Sequence, residues 1–345
     1  METIKTAVLG ASGYTGIELL RLLFAHPSVE VTAITSRAHA GQPLSSVLPR
    51  FKGLSGADLP FIQPNMDEVV ASGAETAFLA LPHGKAADYA LPLLEKGLRV
   101  IDLSADFRLN DAETYLEFYG QAHPAPEWLS KAVYGMPELY ANEIKESQLI
   151  ASPGCYPTSI ILPLVPLLRK GLVDAESIVV SSLSGVSGAG RTASLPIIFS
   201  EVNESLRAYG LPKHRHLSEI EQELSLAASK KVTITFTPHL VPVTRGIHST
   251  ITANLTGSFD EVGEALQQAY QDEPFVRLLG AGIAADTANV TRTNFVDVGW
   301  HHDSRTGRLV MTSAEDNLTK GASGQAVQAY NLLHKLPATT GLMNL

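Results

Sequence analysis

The chain has 345 residues, of which 45% are hydrophobic and 18% are charged, a composition typical of folded globular proteins and not of disordered ones. Its formal net charge of −9 argues against non-specific binding to nucleic acid or to an anionic membrane surface. A chain of this length is sufficient for two domains, each with a hydrophobic core of its own.

The cysteine count and the first residues bear on the compartment in which the protein works. A single cysteine excludes an intrachain disulfide, which is the expected pattern for a reducing cytosol. The first five residues lack the basic start and the long apolar core of a signal peptide, and no apolar run is long enough to span a bilayer. We therefore expect a cytoplasmic protein without a membrane partner.

The predicted elements begin with a βαβ unit. Ile4–Leu9 has the character of a buried strand, Gly10–Gly16 is a glycine-rich turn, Ile17–Ala25 is predicted to be helical, and Val29–Thr35 is a second strand. The spacing Gly-x-x-Gly-x-x-Gly by itself also fits a tight turn without a ligand. Because the turn lies between a strand and a helix, it predicts a site for the pyrophosphate of a dinucleotide. The glycines concerned are Gly10, Gly13 and Gly16.

The end of the second predicted strand indicates which dinucleotide is bound. NAD sites usually carry an acidic residue there, which binds the ribose 2′-hydroxyl. This chain has Ser36 and Arg37 instead, and a hydroxyl next to a guanidinium suits a 2′-phosphate. We therefore expect NADP as the cofactor, with a solvated surface arginine as the alternative for Arg37 taken alone.

The alternation of strands and helices continues beyond this unit. Ala74–Leu81 and Arg99–Leu103 are predicted strands, and Lys85–Lys96 between them is predicted to be helical. This is the pattern of a doubly wound α/β domain, in which the loops after the carboxyl ends of the strands face the cofactor. Arg108 follows the last of these strands. It binds a substrate anion or forms a structural ion pair, and the sequence favours neither.

The cysteine, Cys155, follows a short predicted strand, Leu149–Ala151. Pro153 and Gly154 predict a sharp turn, and Pro157 predicts a helix that begins near it. The thiol would then lie at the amino end of a helix, where partial positive charge favours the reactive thiolate. A buried cysteine that only packs is the alternative.

Two histidines precede another predicted helix. Ser218 and Glu221 have the spacing of a capping box, so we expect a helix that starts at Ser218. His216 would lie on the loop before it, where a histidine tends to stay neutral and can act as a base, and His214 lies close by. No carboxylate or thiol ligands lie nearby at zinc-motif spacing, so we expect no metal.

The second half of the chain predicts an α+β domain with a mostly antiparallel sheet. Strands Lys231–Val243 and Gly246–Leu255 are expected to be neighbours. Strands Asn294–Trp300 and Arg308–Thr312 are expected to be joined by a solvated hairpin tip, His301–Gly307, which carries two histidines. Two further helices are expected, at Phe259–Gln271 and Ala326–Leu336. We expect the last helix to return to the first domain.

Four motifs occur together in an order that characterises one enzyme family. They are the turn Gly10–Gly16, the stretch Ser152–Thr158, the cluster His214–His216 and the segment Asn317–Gly321. Over essentially its whole length the chain resembles the arginine-biosynthetic members of the semialdehyde dehydrogenase family. Ser152 departs from the family pattern, in which many members carry asparagine at that position.

The resemblance implies an activity and the residues that perform it. The reaction would be the NADPH-dependent reduction of a small-molecule acyl phosphate, N-acetyl-L-glutamyl 5-phosphate, to its semialdehyde. Cys155 would be the nucleophile that forms a thioester, and His216 the general acid/base. His214 would lie in the substrate pocket, while Arg108 and Arg245 would bind the substrate phosphate and carboxylate.

The resemblance also implies cofactor contacts, a domain division and an oligomer. Asn317 would hold the nicotinamide carboxamide, and the other NADP contacts would come from Ser12, Gly13, Tyr14, Thr15, Ser36 and Arg37. A Rossmann-type dinucleotide domain would comprise residues 1–154 and 317–345, and a catalytic and dimerisation domain residues 155–316. A homo-oligomer, dimer or tetramer, is expected, with no nucleic acid among its partners.

Other functions fit parts of the sequence. A related reductase that acts on a carrier-linked aminoadipyl or glutamyl phosphate would need a basic rim, against which the acidic net charge argues. An aspartate-semialdehyde dehydrogenase fits the Cys-Tyr-Pro-Thr context less well. A dinucleotide-binding protein without catalysis leaves Cys155 and His216 unexplained, and a cysteine hydrolase has no use for the glycine-rich βαβ unit.

Overall fold

The computed structural model describes residues 3–343, which fall into two compact units. The first unit contains the described residues within Met1–Ala112, Ala122–Pro153 and Ala322–Asn344. The second contains those within Glu113–Gln121 and Gly154–Gly321. No helix of the described residues is long and apolar enough to cross a membrane.

Strands and helices alternate along the described residues. The strands are β1 (Ile4–Leu9), β2 (Val29–Thr35), β3 (Phe61–Ile62), β4 (Thr76–Leu79), β5 (Arg99–Asp102), β6 (Val133–Tyr134), β7 (Leu149–Ala151), β8 (Val179–Ser184), β9 (Arg207–Ala208), β10 (Thr235–Leu240), β11 (Ile247–Asn254), β12 (Val276–Ala281), β13 (Val296–Asp303) and β14 (Arg308–Glu315). The α-helices are α1 (Tyr14–Phe24), α2 (Leu44–Val47), α3 (Met66–Ala71), α4 (Ala87–Glu95), α5 (Ala112–Tyr119), α6 (Pro137–Glu146), α7 (Cys155–Arg169), α8 (Phe199–Val202), α9 (His216–Ala228), α10 (Phe259–Tyr270) and α11 (Gly324–Leu333).

The first unit is built on a seven-stranded sheet in the order β3-β2-β1-β4-β5-β7-β6. All of its strand pairs are parallel. Central strands of a parallel sheet are covered on both faces and are therefore continuously apolar, as in the fully buried run Thr76–Leu79. The strand order reverses between β1 and β4, which places a ligand crevice at their carboxyl ends. The predicted doubly wound α/β architecture is confirmed.

The glycine-rich turn lies at that crevice, directly after β1. Gly10 has a positive φ of 79°, and a Cβ added to it would lie 2.3 Å from the carbonyl oxygen of Ala80. A Cβ on Gly16 would lie 2.5 Å from the carbonyl oxygen of Gly10. Only glycine allows this close approach of backbone to backbone. Helix α1 follows at Tyr14, three residues earlier than the sequence predicts.

The second unit is built on a mixed seven-stranded sheet in the order β12-β13-β14-β11-β8-β10-β9. Four of its strand pairs are antiparallel and two are parallel, which confirms the predicted, mostly antiparallel character. Along β11 buried and half-buried residues alternate, because one face of the sheet is covered by helices. Helix α7 packs on β11 and β14, and α10 packs on α7.

Strands β10 and β11 are not neighbours, so this prediction is wrong. Strand β8 lies between them, parallel to β10 and antiparallel to β11. The connection between β10 and β11 does not fold into a hairpin, because its backbone bonds to the residues that follow β8. Gly185 N donates to Gly246 O at 2.9 Å, and Val186 N donates to Val243 O at 2.9 Å.

The predicted position of the last hairpin tip is also wrong. His301 and His302 lie inside β13, where they pair with Val310 and Leu309 of β14. The turn comes after Asp303, whose carbonyl oxygen accepts the amide of residue 307 at 2.8 Å. Strand β13 thus continues three residues beyond its predicted end, because residues 301–303 pair with residues of β14 that the prediction already placed in a strand.

Candidate active site

Cys155 is the first residue of α7, two residues before the predicted start of the helix. Gly154 takes the N-cap position with an extended backbone, φ −71° and ψ 161°, so the helix can begin before Pro157. The first amides of a helix have no acceptor within the helix, and this end carries partial positive charge. The half-buried thiol therefore lies where a thiolate is stabilised.

The C-terminal motif packs directly against the cysteine. A Cβ added to Gly321 would lie 2.8 Å from Cys155 Cβ and 2.8 Å from Glu315 Oε1, so the position admits only glycine. The π-helical turn Thr319–Ser323 thus closes on the start of α7. The structure brings together two motifs that are more than 150 residues apart in the printed sequence.

The predicted histidines lie beside the start of α7. The ring of Tyr156 lies 5.5 Å from the ring of His214 and 5.8 Å from that of His216, measured between centroids. The two histidine rings are 5.0 Å apart in an edge-to-face arrangement. Because α7 and α9 pack together, the structure places Cys155 and both histidines in one cluster.

Helix α9 begins at His216, so the predicted capping box and the loop position of His216 are wrong. Ser218 Oγ does not accept an amide but donates to Arg215 O at 2.8 Å. Glu221 Oε1 accepts from Ile234 N at 3.0 Å instead of reaching back to the helix start. The ring of His214 takes over the capping role, because its Nδ1 accepts from His216 N at 3.1 Å.

The two histidines differ in what they can do. Burial, and then the neighbouring Arg215 guanidinium, lower the pKa of His214 to about 4, so this ring is neutral near pH 7 and its Nδ1 is occupied as a hydrogen-bond acceptor. The side chain of His216 is 17% exposed, and its Nε2 lies 4.0 Å from Glu219 Oε1. His216 therefore has both access to the site and a carboxylate near its Nε2.

The two candidate arginines are held by the protein. Arg245 lies 2.9 Å from the buried carboxylate of Asp316 and donates to Thr319 Oγ1 at 3.0 Å. Arg108 is buried in the first unit, where its Nε donates to Ser152 O at 2.8 Å and an Nη donates to Leu103 O at 3.0 Å. These contacts fix both guanidinium groups in place.

Asn317 ties two backbone segments of the second unit together. Its Oδ1 accepts from Gly246 N at 2.8 Å, and its Nδ2 donates to Ser187 Oγ at 2.9 Å. The short 3₁₀ turn Val186–Ala189 follows β8 at this point. Asn317 therefore lies at the junction of β8, β11 and the C-terminal motif.

The dinucleotide candidates of the first unit lie close together. Ser12 and Ser36 are hydrogen-bonded through their hydroxyls at 3.0 Å, and Gly10 N donates to Thr35 Oγ1 at 3.2 Å. The exposed guanidinium of Arg37 donates to Tyr89 Oη at 2.7 Å.

These residues fit a bound dinucleotide. The N-cap of α1 is Gly13, and no side chain caps this helix, so its first amides can turn to a pyrophosphate. Ser36 and Arg37 then follow β2, where a ribose 2′-phosphate would lie.

Some features of the cluster were not predicted from the sequence. Tyr156 and Tyr209 share a hydrogen bond of 2.8 Å between their hydroxyls, and the exposed Arg215 separates the two histidines. Glu219 follows His216 by three residues, a spacing that places two side chains on one helix face, and this was the one available signal. Among residues 3–343 no group of three or more metal-ligating side chains of the His, Cys, Asp and Glu types comes together.

Comparison with known families agrees with this architecture. A model described as semialdehyde dehydrogenase, NAD binding domain, matches residues 5–147. A second, described as semialdehyde dehydrogenase, dimerisation domain, matches residues 155–317. The fold and the cysteine–histidine cluster thus define an oxidoreductase of the semialdehyde dehydrogenase class.

Curated relatives give the narrower assignment. The chain is 56% identical to the N-acetyl-gamma-glutamyl-phosphate reductase of Akkermansia muciniphila over 99% of both chains. It is 51% identical to the reductase of the same name from Geobacter metallireducens, again over 99% of both. The chain belongs to the N-acetyl-gamma-glutamyl-phosphate reductase family.

Solved structures of lower identity share the fold. Aspartate semialdehyde dehydrogenase II of Vibrio cholerae, complexed with ASA, has a TM-score of 0.72 at 18% identity and covers 97% of this chain and 99% of its own. Aspartate semialdehyde dehydrogenase with NADP from Candida albicans has a TM-score of 0.74 at 17% identity, with coverage of 96% and 99%. At such identity the likeness concerns the fold alone.

Proposed function

We propose that the protein catalyses the NADPH-dependent reduction of N-acetyl-L-glutamyl 5-phosphate to N-acetyl-L-glutamate 5-semialdehyde and phosphate, a step in L-arginine biosynthesis. The observation that carries the proposal is the thiol of Cys155 at the start of α7, with the ring of His216 packed against the next residue of that helix, Tyr156. The relatives named above are reductases of this acyl phosphate by their names.

The first half of the reaction is acyl transfer to Cys155. The thiolate attacks the carbonyl carbon of the acyl phosphate, an S–C bond forms, and the C–O bond to the phosphate breaks. A thiolate suits this step because it is a strong nucleophile. The product is a thioester on Cys155 and free phosphate.

The second half converts the thioester to the aldehyde. When bound, NADPH supplies the hydride that reduces the thioester carbonyl. His216 donates a proton to the developing oxyanion, which gives a thiohemiacetal on Cys155. The same residue then takes the hydroxyl proton back as the C–S bond breaks, so that the aldehyde leaves and the thiolate is restored.

Two arginines and His214 are proposed for the substrate side. The ion pair with Asp316 orients Arg245 within the motif that packs on Cys155, which supports an anion contact. Arg108 holds the carbonyl of Ser152, which precedes the cysteine by three residues, and this supports a role in shaping the turn as well. Neutral His214 shapes the pocket without exchanging protons near pH 7.

The cofactor proposal assigns specificity to Arg37. Its guanidinium, which follows Ser36 in the chain, is oriented by the hydrogen bond that it donates to Tyr89 Oη. Asn317 is proposed to hold the nicotinamide carboxamide. We expect NADP to exceed NAD by at least about tenfold in kcat/KM, roughly 1.4 kcal/mol. Arg37→Ala should remove much of this preference, because it removes the cation that pairs with the 2′-phosphate.

Steady-state kinetics with both cofactors measure the effect of Arg37→Ala. The matched control is Arg305→Ala, which removes an exposed arginine of the β13–β14 hairpin in the second unit and should leave the preference unchanged. Equal rates of the wild type with the two cofactors would contradict the assignment, as would an unaltered preference of Arg37→Ala.

The substrate is tested in the reverse direction, as phosphate-dependent reduction of NADP⁺ by a semialdehyde. We expect turnover with N-acetylglutamate semialdehyde and at least about a hundredfold lower kcat/KM with aspartate semialdehyde, because the shorter substrate loses the contacts of its acetamido group. A preference for aspartate semialdehyde, or dependence on a carrier protein, would contradict the proposed substrate.

The proposed assembly is a homo-oligomer, a dimer or tetramer, that works in the cytoplasm. A dimerisation domain spans residues 155–317, which supports an assembly through the second unit. A catalytic thiolate requires a reducing compartment. Size-exclusion chromatography with light scattering distinguishes the dimer from the tetramer.

A further inference from the structure

Glu219 is a buried carboxylate that the proposed mechanism does not use. It lies in the first turn of α9, and its side chain is only 1% exposed. A carboxylate is expensive to bury unless nearby groups compensate its charge. The structure places a different group next to each of its two oxygens, and both groups belong to the reacting cluster.

The first of these groups is at the start of the nucleophile helix. Glu219 Oε2 accepts a hydrogen bond from Gly154 N at 3.1 Å. Gly154 is the N-cap of α7, and a carboxylate of another helix, α9, accepts its amide as the N3 carboxylate does in a capping box. A negative charge therefore lies at the amino end of the helix whose first residue is Cys155.

The second group is the proposed acid/base. Glu219 Oε1 lies 4.0 Å from His216 Nε2, three residues earlier on the same helix face. At this distance a carboxylate stabilises the imidazolium over the neutral ring. One side chain thus contacts the backbone that positions the thiol and faces the ring that moves the proton.

We propose that Glu219 is a positioning residue that holds His216 against the start of the Cys155 helix and sets the charge that both reacting groups experience. The inference rests on the proposed function in that it takes Cys155 and His216 as the reacting groups. Glu219 acts through these two residues and not by contact with the substrate.

Other ionisable groups lie near the cluster. They are Tyr156 on α7, Tyr209, His214 and Arg215 on the segment before α9, and Glu315 at the end of β14. Burial raises the pKa of Tyr209 to about 12 and also raises that of Tyr156, while the pKa of His214 is about 4. These three groups stay neutral between about pH 5 and 9, so they do not titrate in the window of the test.

The test is Glu219→Gln, which keeps an oxygen acceptor for the Gly154 amide and removes the charge. Loss of the carboxylate should lower the pKa of the His216 imidazolium and that of the Cys155 thiol. Two pH midpoints report these pKa values, and we expect both to move to lower pH by on the order of one unit. The first is the midpoint of the histidine limb of kcat/KM against pH in the NADP⁺ reduction assay. The second is the pH dependence of Cys155 alkylation by iodoacetamide without substrate.

Glu223→Gln is the matched control, because Glu223 is also buried on α9 and bonds to Gln222. It should leave both midpoints unchanged. Wild-type midpoints in Glu219→Gln, or an equal shift in Glu223→Gln, would overturn the proposal. If Glu219→Gln does not fold, Glu219→Asp retracts the charge, and unchanged midpoints in that variant overturn it as well. Absence of turnover by the wild type would contradict the proposed function. The alkylation measurement needs no substrate, so it would still test the effect of Glu219 on Cys155.

Discussion

Cys155→Ala is expected to abolish turnover and to leave NADPH binding unchanged. The substitution removes the sulfur that carries the acyl group, so neither half of the proposed reaction has a covalent path. Removal of a nucleophile costs several orders of magnitude in kcat. The glycine-rich turn and Ser36, which are proposed to bind the dinucleotide, belong to the first unit, whereas Cys155 belongs to the second.

The measurement combines steady-state kcat with a fluorescence titration of NADPH. Thermal unfolding of the variant is the control for folding, because loss of one half-buried sulfur should change stability by no more than about 1 kcal/mol. A variant with a tenth or more of the wild-type kcat would disprove the role of Cys155 as nucleophile. Loss of NADPH binding would show that the thiol also supports the cofactor site.

The first unit could be predicted from its sequence because its strands carry a strong local signal. β1 and β4 are central strands of a parallel sheet, so both of their faces are buried and the runs Ile4–Leu9 and Ala74–Leu81 contain few polar residues. The glycine-rich turn is equally local, since Gly10 must adopt a positive φ within it. The observed helix ends differ from the predicted ones by a few residues, as at Tyr14, because helix ends depend on capping.

The second unit shows where local patterns fail. The order of β10 and β11 is decided by β8, which lies far from both in the sequence and forms the sheet neighbour of each. The start of α9 is decided by the ring of His214, a residue that is rarely a cap. Neither interaction has a sequence signature, because each depends on which atoms tertiary packing brings within hydrogen-bonding distance.

The partners of the charged groups of the site also depend on tertiary packing and not on local sequence. The sequence shows that Arg245, Asp316 and Glu219 are charged, and it does not show their partners. Arg245 bonds to Asp316 across 71 residues, and Glu219 bonds to Gly154 across 65 residues. Candidate residues could therefore be predicted by type and motif, while the contacts that support their proposed division into reacting, anion-binding and positioning groups come from the structure.

His216→Asn is expected to slow turnover by roughly 10²–10⁴-fold, the usual contribution of general acid–base catalysis. Asparagine keeps a polar side chain of similar reach and cannot exchange a proton near neutral pH. His214→Asn is the matched variant on the neighbouring histidine. It should affect KM more than kcat, because the pKa of His214, lowered to about 4, keeps that ring neutral and its proposed role is to shape the pocket.

The pH profile of the reverse reaction separates the two histidines. In this direction His216 donates its proton to the alkoxide that forms when the thiolate attacks the aldehyde, and takes it back as the hydride leaves, so kcat/KM should fall as rising pH removes the ring proton from the free enzyme. His216→Asn should lose this limb and keep the one that belongs to the thiol, whereas His214→Asn should keep both. If His214→Asn abolishes the rate and His216→Asn does not, the roles are exchanged. If neither variant slows the reaction, the proton comes from another group, and a histidine acid/base is disproved.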